Sequence, residues 1–358
     1  MEKEKMKMNI ILPAIGRSGG MDVIYQYVRL FQKMGHDVVV YRPICGIHLN
    51  RYSNPMKEEL HRIYCSAKAI KESKKRHDCD SFVWKIADQT VRDADVLIAT
   101  AWPTAYLAAK LSHTKGRKYY IIQDYEVWDN SEKGKESYKL PMNKIVISTW
   151  INNRLKEDLG MGPFPVVYDG LDIKHFQPGQ PRQINNQMEI RCLMLNHPMA
   201  KKGIEQGLEA FKLAKAKCGN LTLTMFGTCK KDNLPVGIHY VENPTQEELL
   251  RLYQQSDIFL FPSLEEGWGL TPLEAMACGC AVVGTRTGFV LDLGKHEENM
   301  MISEPGDVNT MAENIIRVST DIQLRKKLSE MARETAEKLS WDKSARQLLS
   351  CLQKGEEE

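Results

Sequence analysis

The order of apolar runs and glycine-rich turns along this chain leaves few folds open. Residues 8–12 form a short apolar run that leads into Pro13-Ala14-Ile15-Gly16-Arg17-Ser18-Gly19-Gly20. Val23, Ile24, Tyr27, Leu30, Phe31 and Met34 then recur at helical spacing, Gly35-His36 stops the helix, and residues 37–41 resume as a strand. That is a βαβ unit. Residues 96–99, 118–122, 144–148 and 166–167 follow as buried-strand candidates separated by helices, which predicts a parallel sheet covered on both faces. The stretch from His175 through Pro178, Gly179 and Pro181 to Asn185-Asn186-Gln187 is polar and rich in chain breakers, as a linker would be. Beyond it the alternation restarts, with strands at 191–195, 221–226, 239–241, 258–261 and 281–283 and a helix over 204–217. The expected fold class is therefore α/β, two Rossmann-like domains with parallel sheets. Nucleotides bind such sheets at the carboxyl ends of the strands, so an interdomain cleft is the expected site.

A chain of 358 residues suits two domains. Nine scattered cysteines, none in a CxxC pair, argue against disulfides and structural zinc and for a reducing compartment. No long apolar run could span a bilayer, and the charged opening Met1 to Lys7 lacks the features of a secretion signal, so a cytoplasmic location is expected. Charge is uneven. Residues 1–176 hold 28 Lys and Arg against 21 Asp and Glu, whereas residues 177–358 hold 21 against 25. Much of the excess lies between Lys57 and His77, which reads as a basic helix. It is either a solvated face or a surface for anionic lipid or a lipid-linked acceptor, at the inner face of the cell membrane. No aromatic stacking pattern accompanies the charge, so a nucleic-acid partner is not expected.

The most informative segment runs from Pro262 to Met276 and follows the strand at 258–261. Gly267 and Gly269 flank Trp268 and free the backbone to approach a ligand. Thr271, Pro272 and Glu274 read as N-cap, first helical position and capping-box partner. Such a helix start can direct N–H groups and a positive dipole end at a diphosphate. A capping box alone is ordinary. It leaves Glu266, a second carboxylate eight positions earlier, without a reason.

This Glu266-to-Glu274 segment, Glu-Gly-Trp-Gly-Leu-Thr-Pro-Leu-Glu, resembles the E-x7-E motif of the family 4 retaining glycosyltransferases, which have the GT-B fold of two facing Rossmann-like domains. The resemblance extends in order over nearly the whole chain. It takes in Gly19-Gly20, Ile145 to Ser148, the Val166-Val167-Tyr168-Asp169-Gly170-Leu171-Asp172 stretch, Lys202-Gly203, Ala281 to Gly284 with Gly288, and the closing Leu339-Ser340-Trp341-Asp342. It implies an N-terminal acceptor domain over 1–177, completed by a returning helix at 342–358, and a donor domain over 190–341. The expected activity is transfer of a hexose from a nucleotide-diphosphate sugar to a glycan or lipid-linked acceptor, in cell-surface polysaccharide or glycolipid assembly. No cofactor and no metal are expected.

The resemblance also implies roles. Glu274 would take the donor ribose hydroxyls, Glu266 would sit near the transferred sugar, and Lys202 with Lys201 would neutralise the leaving diphosphate. The Gly19 and Gly20 amides, with Gly267, Trp268, Gly269, Leu270 and Thr271, would complete the donor cradle, and the loop near Tyr240 and Val241 would meet the base. Two departures stand out. The arginine that usually precedes the lysine-glycine pair is absent, and Lys201 replaces it without a bidentate fork. The usual N-domain histidine is replaced by Gln123-Asp124-Tyr125-Glu126, which resembles a subset of bacterial polysaccharide glycosyltransferases, including some rhamnosyltransferases. Gln123 could hold sugar hydroxyls and Asp124 could orient or deprotonate an acceptor hydroxyl. The plainer alternative is that Asp124 and Glu126 terminate a strand and cap the next turn. Trp102 is either a sugar platform or packing. Asp78-Cys79-Asp80 and Asp93-Ala94-Asp95 spell D-x-D but read as the start of a helix at 81–91 and a turn before a strand. A nucleotide-sugar epimerase and a non-catalytic nucleotide-sugar-binding subunit are the alternatives on the same fold.

Overall fold

The structure, a computed structural model, describes residues 5–13, 19–45, 54–74, 77–128, 130–180, 189–228 and 237–353. Two compact units divide the chain, one of residues 1–147, 151–169 and 341–358, the other of residues 148–150 and 170–340.

The first unit is a parallel sheet of six strands in the order β3-β2-β1-β4-β5-β6. Along the chain these are β1 (Lys7–Ile11), α1 (Gly19–Lys33), β2 (Asp37–Pro43), α2 (Pro55–Ser73), β3 (Asp80–Val83), β4 (Val96–Ala99), α3 (Trp102–Lys110), β5 (Arg117–Ile122), α4 (Ser131–Ser137), β6 (Asn143–Val146) and α5 (Thr149–Leu159). Met8, Ile10 and Ile11 of β1 and all of β4 are buried, as a sheet covered on both faces requires. The last helix of the chain, α12 (Trp341–Gln353), returns to this unit. Trp341 meets Tyr27 of α1 edge-on at 5.4 Å, and the Leu352 carbonyl accepts from Arg117 and Tyr119.

The second unit repeats the architecture, with strand order β12-β11-β10-β7-β8-β9. It comprises β7 (Ile190–Asn196), α6 (Ile204–Lys217), β8 (Leu221–Gly227), β9 (His239–Glu242), α7 (Gln246–Gln255), β10 (Ile258–Phe261), α8 (Leu270–Ala277), β11 (Ala281–Thr285), α9 (Val290–Leu293), β12 (Met301–Ser303), α10 (Val308–Thr320) and α11 (Ile322–Glu337). Its core is built from Met194, Leu223, Met225, Leu260 and Val283 of the strands against Ala210, Phe211, Ala214, Ile315 and Leu328 of the helices. Both sheets are wholly parallel, and the α/β fold class read from the sequence stands.

One local expectation is overturned. Residues 81–91 are not a helix, because Asp80 to Val83 join the sheet as the edge strand β3 beside β2. Asp80 is fixed by side-chain bonds from the Tyr25 hydroxyl at 2.8 Å and the His77 amide at 3.0 Å, and Arg42 lies over the Phe82 ring at 5.0 Å. Those contacts hold the segment extended against the sheet. The other D-x-D does sit before a strand: Asp95 accepts from the Lys7 amide and Asp93 pairs with Lys115, each at 2.7 Å.

Candidate active site

In the second unit the functional candidates gather at the carboxyl ends of β7 and β10. After β7 the chain makes a short turn through Ala200, Lys201 and Lys202, and Gly203 closes it in the left-handed region, at φ 64°. A side chain there would force the backbone to shift, since a Cβ on Gly203 would lie 2.0 Å from the Pro262 carbonyl oxygen. The close approach has a purpose. The amides of Leu264 and Glu265 both donate to the Lys201 carbonyl, at 2.7 and 3.2 Å, so the turn after β7 is bonded to the loop after β10. Across this junction the Lys202 ammonium donates to Glu266 Oε2 at 2.6 Å, with Ser263 Oγ 3.3 Å from the same oxygen. Lys202 and Glu266 are only 18% and 14% exposed, so each is largely desolvated and depends on the other for charge compensation. Thr271 lines the same recess, whose free volume of about 10 Å³ amounts to no more than a water.

Glu274 lies eight residues on and has a different environment. The capping-box reading fails. Helix α8 begins at Leu270 with Gly269 as its N-cap, at φ 102°, and Thr271 provides no side-chain cap. A positive-φ glycine turns the corner two residues earlier than a threonine cap at 271 would, so Thr271 is already inside the first turn. Freed from capping, the Glu274 carboxylate accepts a 2.8 Å bond from the Tyr253 hydroxyl. Tyr253, fully buried on α7, is wedged edge-on against Phe176 and Phe226. Glu274 keeps some solvent contact, yet desolvation pushes its pKa up to about 7, against which the tyrosine bond acts only partly.

The loop between the two carboxylates is packed rather than open. Gly267, Trp268 and Gly269 are buried, and Trp268 meets Phe289 edge-on at 6.2 Å. The Trp268 carbonyl accepts from the Phe289 amide at 2.8 Å, and the Gly267 carbonyl accepts from the hydroxyl of Ser148, which belongs to this unit, at 2.6 Å. Gly288, at φ 54°, allows this, because a Cβ there would lie 2.4 Å from the Trp268 carbonyl oxygen. Leu270 opens α8. Val241 stands near the end of the edge strand β9, paired in register with Phe226, apart from the Lys202–Glu266 contact. Three residues at the site had not been singled out: Ser263, Tyr253 and His197. His197 follows β7, and burial together with the Lys202 and Lys201 charges pushes its pKa down. Its place in Leu195-Asn196-His197, just past a strand, was the available signal.

In the first unit the structure joins some candidates and separates others. Gly19 and Gly20 are the first residues of α1 rather than an open loop; Gly16, Arg17 and Ser18 lie outside the described residues. A Cβ on Gly20 would come within 3.1 Å of Gln123 Oε1, so the helix start after β1 and the end of β5 meet. Gln123 Nε2 reaches the Thr100 carbonyl at 3.4 Å, while its buried Oε1 has no partner among the described residues. Asp124 Oδ1 accepts from the adjacent Tyr125 amide at 2.9 Å. Glu126 is structural, since its carboxylate accepts from the Trp102 amide at the start of α3 and from the Tyr120 hydroxyl, each at 2.5 Å. Trp102 is 1% exposed and packs on Tyr106 and Trp128, which rules out a free sugar platform. It does wall a hollow of about 420 Å³, whose lining includes Tyr106, Arg62, Lys85, Lys110 and Lys133, and its indole N–H has no acceptor among the described residues. Among the described residues no three His, Cys, Asp or Glu side chains gather as a metal site.

Comparison with known proteins gives a family match in the second half of the chain and fold matches over its whole length. Residues 179–335 match the family model of glycosyl transferases group 1. An uncharacterized glycosyltransferase of Methanocaldococcus jannaschii is 25% identical over 230 residues, spanning 62% of this chain and 63% of that protein. Among solved structures, the sucrose-phosphate synthase of Thermosynechococcus elongatus superposes with a TM-score of 0.73 at 16% identity, covering 98% of this chain and 99% of that one. The Anabaena protein HepE, in complex with UDP-glucose, gives 0.72 at 14% identity, covering 98% and 100%. A group 1 glycosyl transferase domain in the second half and this two-sheet fold over the whole length fit a family 4-like GT-B glycosyltransferase.

Proposed function

We propose that the protein moves a hexose from a nucleotide-diphosphate sugar to an acceptor hydroxyl with retention of anomeric configuration, in assembly of a cell-surface polysaccharide or glycolipid. The observation that carries this reading is the Lys202–Glu266 contact at 2.6 Å, with Glu274 one helix turn beyond the corner at Gly269. As the bond from the anomeric carbon to the diphosphate oxygen breaks, its electron pair goes to the phosphate. A preorganised ammonium lowers the cost of that charge. Lys202 is the group in place, held by Glu266 until a donor takes it over, and Lys201 adds a second cation. Because these lysines supply the positive charge, the route needs no metal. Glu266 then hydrogen-bonds the sugar or stabilises its developing positive charge, and Glu274 takes the ribose hydroxyls. The acceptor oxygen attacks the same face, and its proton passes to the departing phosphate oxygen. HepE holds UDP-glucose in a similar fold, which supports a nucleotide sugar as the donor class. Val241 is assigned to the base, the amides of Gly19 and Gly20 to the diphosphate, and Gln123 and Asp124 to sugar and acceptor hydroxyls. The hollow walled by Trp102, with its four cations, suits an acceptor that carries negative charge.

The test is thermal-shift titration with UDP-, GDP-, dTDP- and ADP-sugars on wild type and Lys202→Ala, followed by proton NMR of the product. A shift with one base series, a product with the donor's anomeric configuration, and turnover lowered about 10²–10³-fold in Lys202→Ala are expected. No shift with any nucleotide sugar would overturn the reading. Conversion of the donor sugar without an acceptor would identify an epimerase, and tight binding without turnover would identify a binding subunit.

A further inference from the structure

Large apolar side chains are left in water mainly on one helix. Of the eight that stand exposed among the described residues, five belong to α2: Met56 at 73%, Leu60 at 61%, Ile63 at 58%, Tyr64 at 59% and Ile70 at 46%. At 3.6 residues per turn they fall within an arc of roughly 120°, a stripe from Met56 to Ile70 on a helix about 28 Å long, with Lys71 and Lys74 in the same arc at its C-terminal end. Scattered exposed leucines need no explanation; a contiguous stripe does. The opposite side of α2 carries its only buried residues, Glu58 and Ala69, so this helix wears its apolar face outward. The orientation is fixed. Glu72 pairs with Arg42 of β2 at 2.8 Å, and the Asn54 side chain caps the helix by accepting from the Met56 amide at 2.9 Å.

Lys57, Lys68, Lys71 and Lys74 are exposed on the same helix and its cap, and among the described residues none has an ion-pair partner. Lys75 and Arg76, which extend the basic run, lie outside the described residues. We propose that α2 is a docking surface for an anionic lipid bilayer, lying in the plane of the headgroups with Met56, Leu60, Ile63, Tyr64 and Ile70 at the acyl boundary and its lysines on the lipid phosphates. A helix with an apolar stripe and a lysine-rich border is the form that binds such interfaces. Among the described residues no helix is long and apolar enough to cross a membrane. A second copy of the chain fits this face less well, because a twofold interface would bring both copies' four lysines into one contact. Docking does not depend on the transferase reading. Its consequence does: Arg62, on the opposite side of this helix from the stripe, also walls the 420 Å³ hollow, so a docked helix holds that wall roughly 10 Å, one helix diameter, from the surface from which a lipid-linked acceptor would be presented.

The experiment is vesicle flotation with phosphatidylcholine alone and with added phosphatidylglycerol, on wild type, on Leu60→Asp/Ile63→Asp, and on Lys68→Glu/Lys71→Glu/Lys74→Glu. Wild type should float only with the anionic vesicles. The apolar variant should lose about tenfold or more in partitioning, and the lysine variant on the order of fivefold per lysine, with a strong salt dependence. Nucleotide-sugar binding and the thermal midpoint should be unchanged in both variants, which separates failure of docking from failure of the transferase reading or of folding. Flotation indifferent to anionic lipid, or unaffected by the variants, would overturn the proposal. A dimer in sedimentation that the apolar variant dissolves, without flotation, would also overturn it and assign the stripe to a second copy.

Discussion

Replacing Glu274 with glutamine should make the ligand-free protein more stable and a worse binder at the same time. The carboxyl titrates at about 7 in the folded protein against an ordinary 4.5. Between those values the unfolded chain has shed a proton that the native chain retains. Native protein therefore binds more protons there, and stability falls as pH rises, levelling off above about pH 7. At about 1.4 kcal/mol per pH unit, the interval makes the ionised carboxylate cost about 3 kcal/mol at pH 8. Glutamine keeps an acceptor for the Tyr253 hydroxyl and carries no charge to desolvate. In calorimetric scans at pH 8, Glu274→Gln should unfold higher by roughly 6–12 °C, a gap that closes toward pH 4.5. Titration calorimetry with the matching nucleotide sugar should show the reverse ordering, with affinity lowered about 10–100-fold by loss of charge-assisted bonds to the ribose. Wild-type affinity should also rise with pH through 7, because binding selects the carboxylate, whereas the variant should be flat. If Glu274→Gln keeps the wild-type slope of stability against pH, another group is titrating and the reasoning fails. A stabilised variant with unchanged affinity would remove Glu274 from the donor site.

Two further outcomes bear on the scaffold. Gly203→Ala should lower stability by at least about 2 kcal/mol, read as the urea midpoint, since the new Cβ would lie 2.0 Å from the Pro262 oxygen at φ 64°. The same variant should weaken nucleotide-sugar binding through misplacement of Lys202, and wild-type stability in it would show that the β7–β10 junction is soft. In the first unit, Asp169 is fully buried beneath the Tyr27 hydroxyl at 3.2 Å, and desolvation lifts its pKa from 3.8 to about 7. Asp169→Asn should therefore remove a loss of about 3–4 kcal/mol that wild type suffers as pH rises from 4 to 7, measured by urea unfolding across that range. An unchanged pH profile would refute the assignment.

What the sequence disclosed, and what it hid, follows burial. The helix expected over 204–217 is α6 residue for residue, and the strands expected at 96–99 and 258–261 are β4 and β10, because long periodic or wholly buried runs leave no competing pattern. The two strands that went unread, β3 and β12, are the edges of their sheets. Strand β3 is mostly half-buried, and the buried run Met300-Met301-Ile302 at β12 is only three residues long, so neither carries an apolar run long enough to read. The Glu266–Glu274 spacing and Lys202 were visible as residue types, but their pairing was not. Contact between Lys202 and Glu266 depends on a Cβ-free approach at Gly203 that only the fold reveals. Likewise, the charge of α2 could be counted in the sequence, but not the direction of its apolar stripe. Met56, Leu60, Ile63, Tyr64 and Ile70 have the spacing of a core-facing helix, and only the placement of α2 against the sheet turns them outward.

The two glutamates of the motif end in opposite electrostatic states, and the backbone between them explains why. Glu266 stays on the loop, where the bonded turn after β7 delivers a lysine to within 2.6 Å, so its charge is compensated inside the protein. Gly269, at φ 102°, then swings the chain into α8 and carries Glu274 onto a helix whose neighbour α7 offers a neutral phenol instead of a cation. One hydroxyl recovers little of what desolvation costs a carboxylate, hence a pKa near neutrality. A polyhydroxylated ligand changes that balance more at Glu274 than at Glu266, because two donated hydroxyl bonds would supply what the lone tyrosine does not. On the same proposal, an anionic diphosphate would act instead on the other pair, competing with Glu266 for Lys202. On the function proposed above, the carboxylate that gives up its cation and the one that gains partners would stand eight positions apart, and a donor bearing both ribose and diphosphate would satisfy both changes.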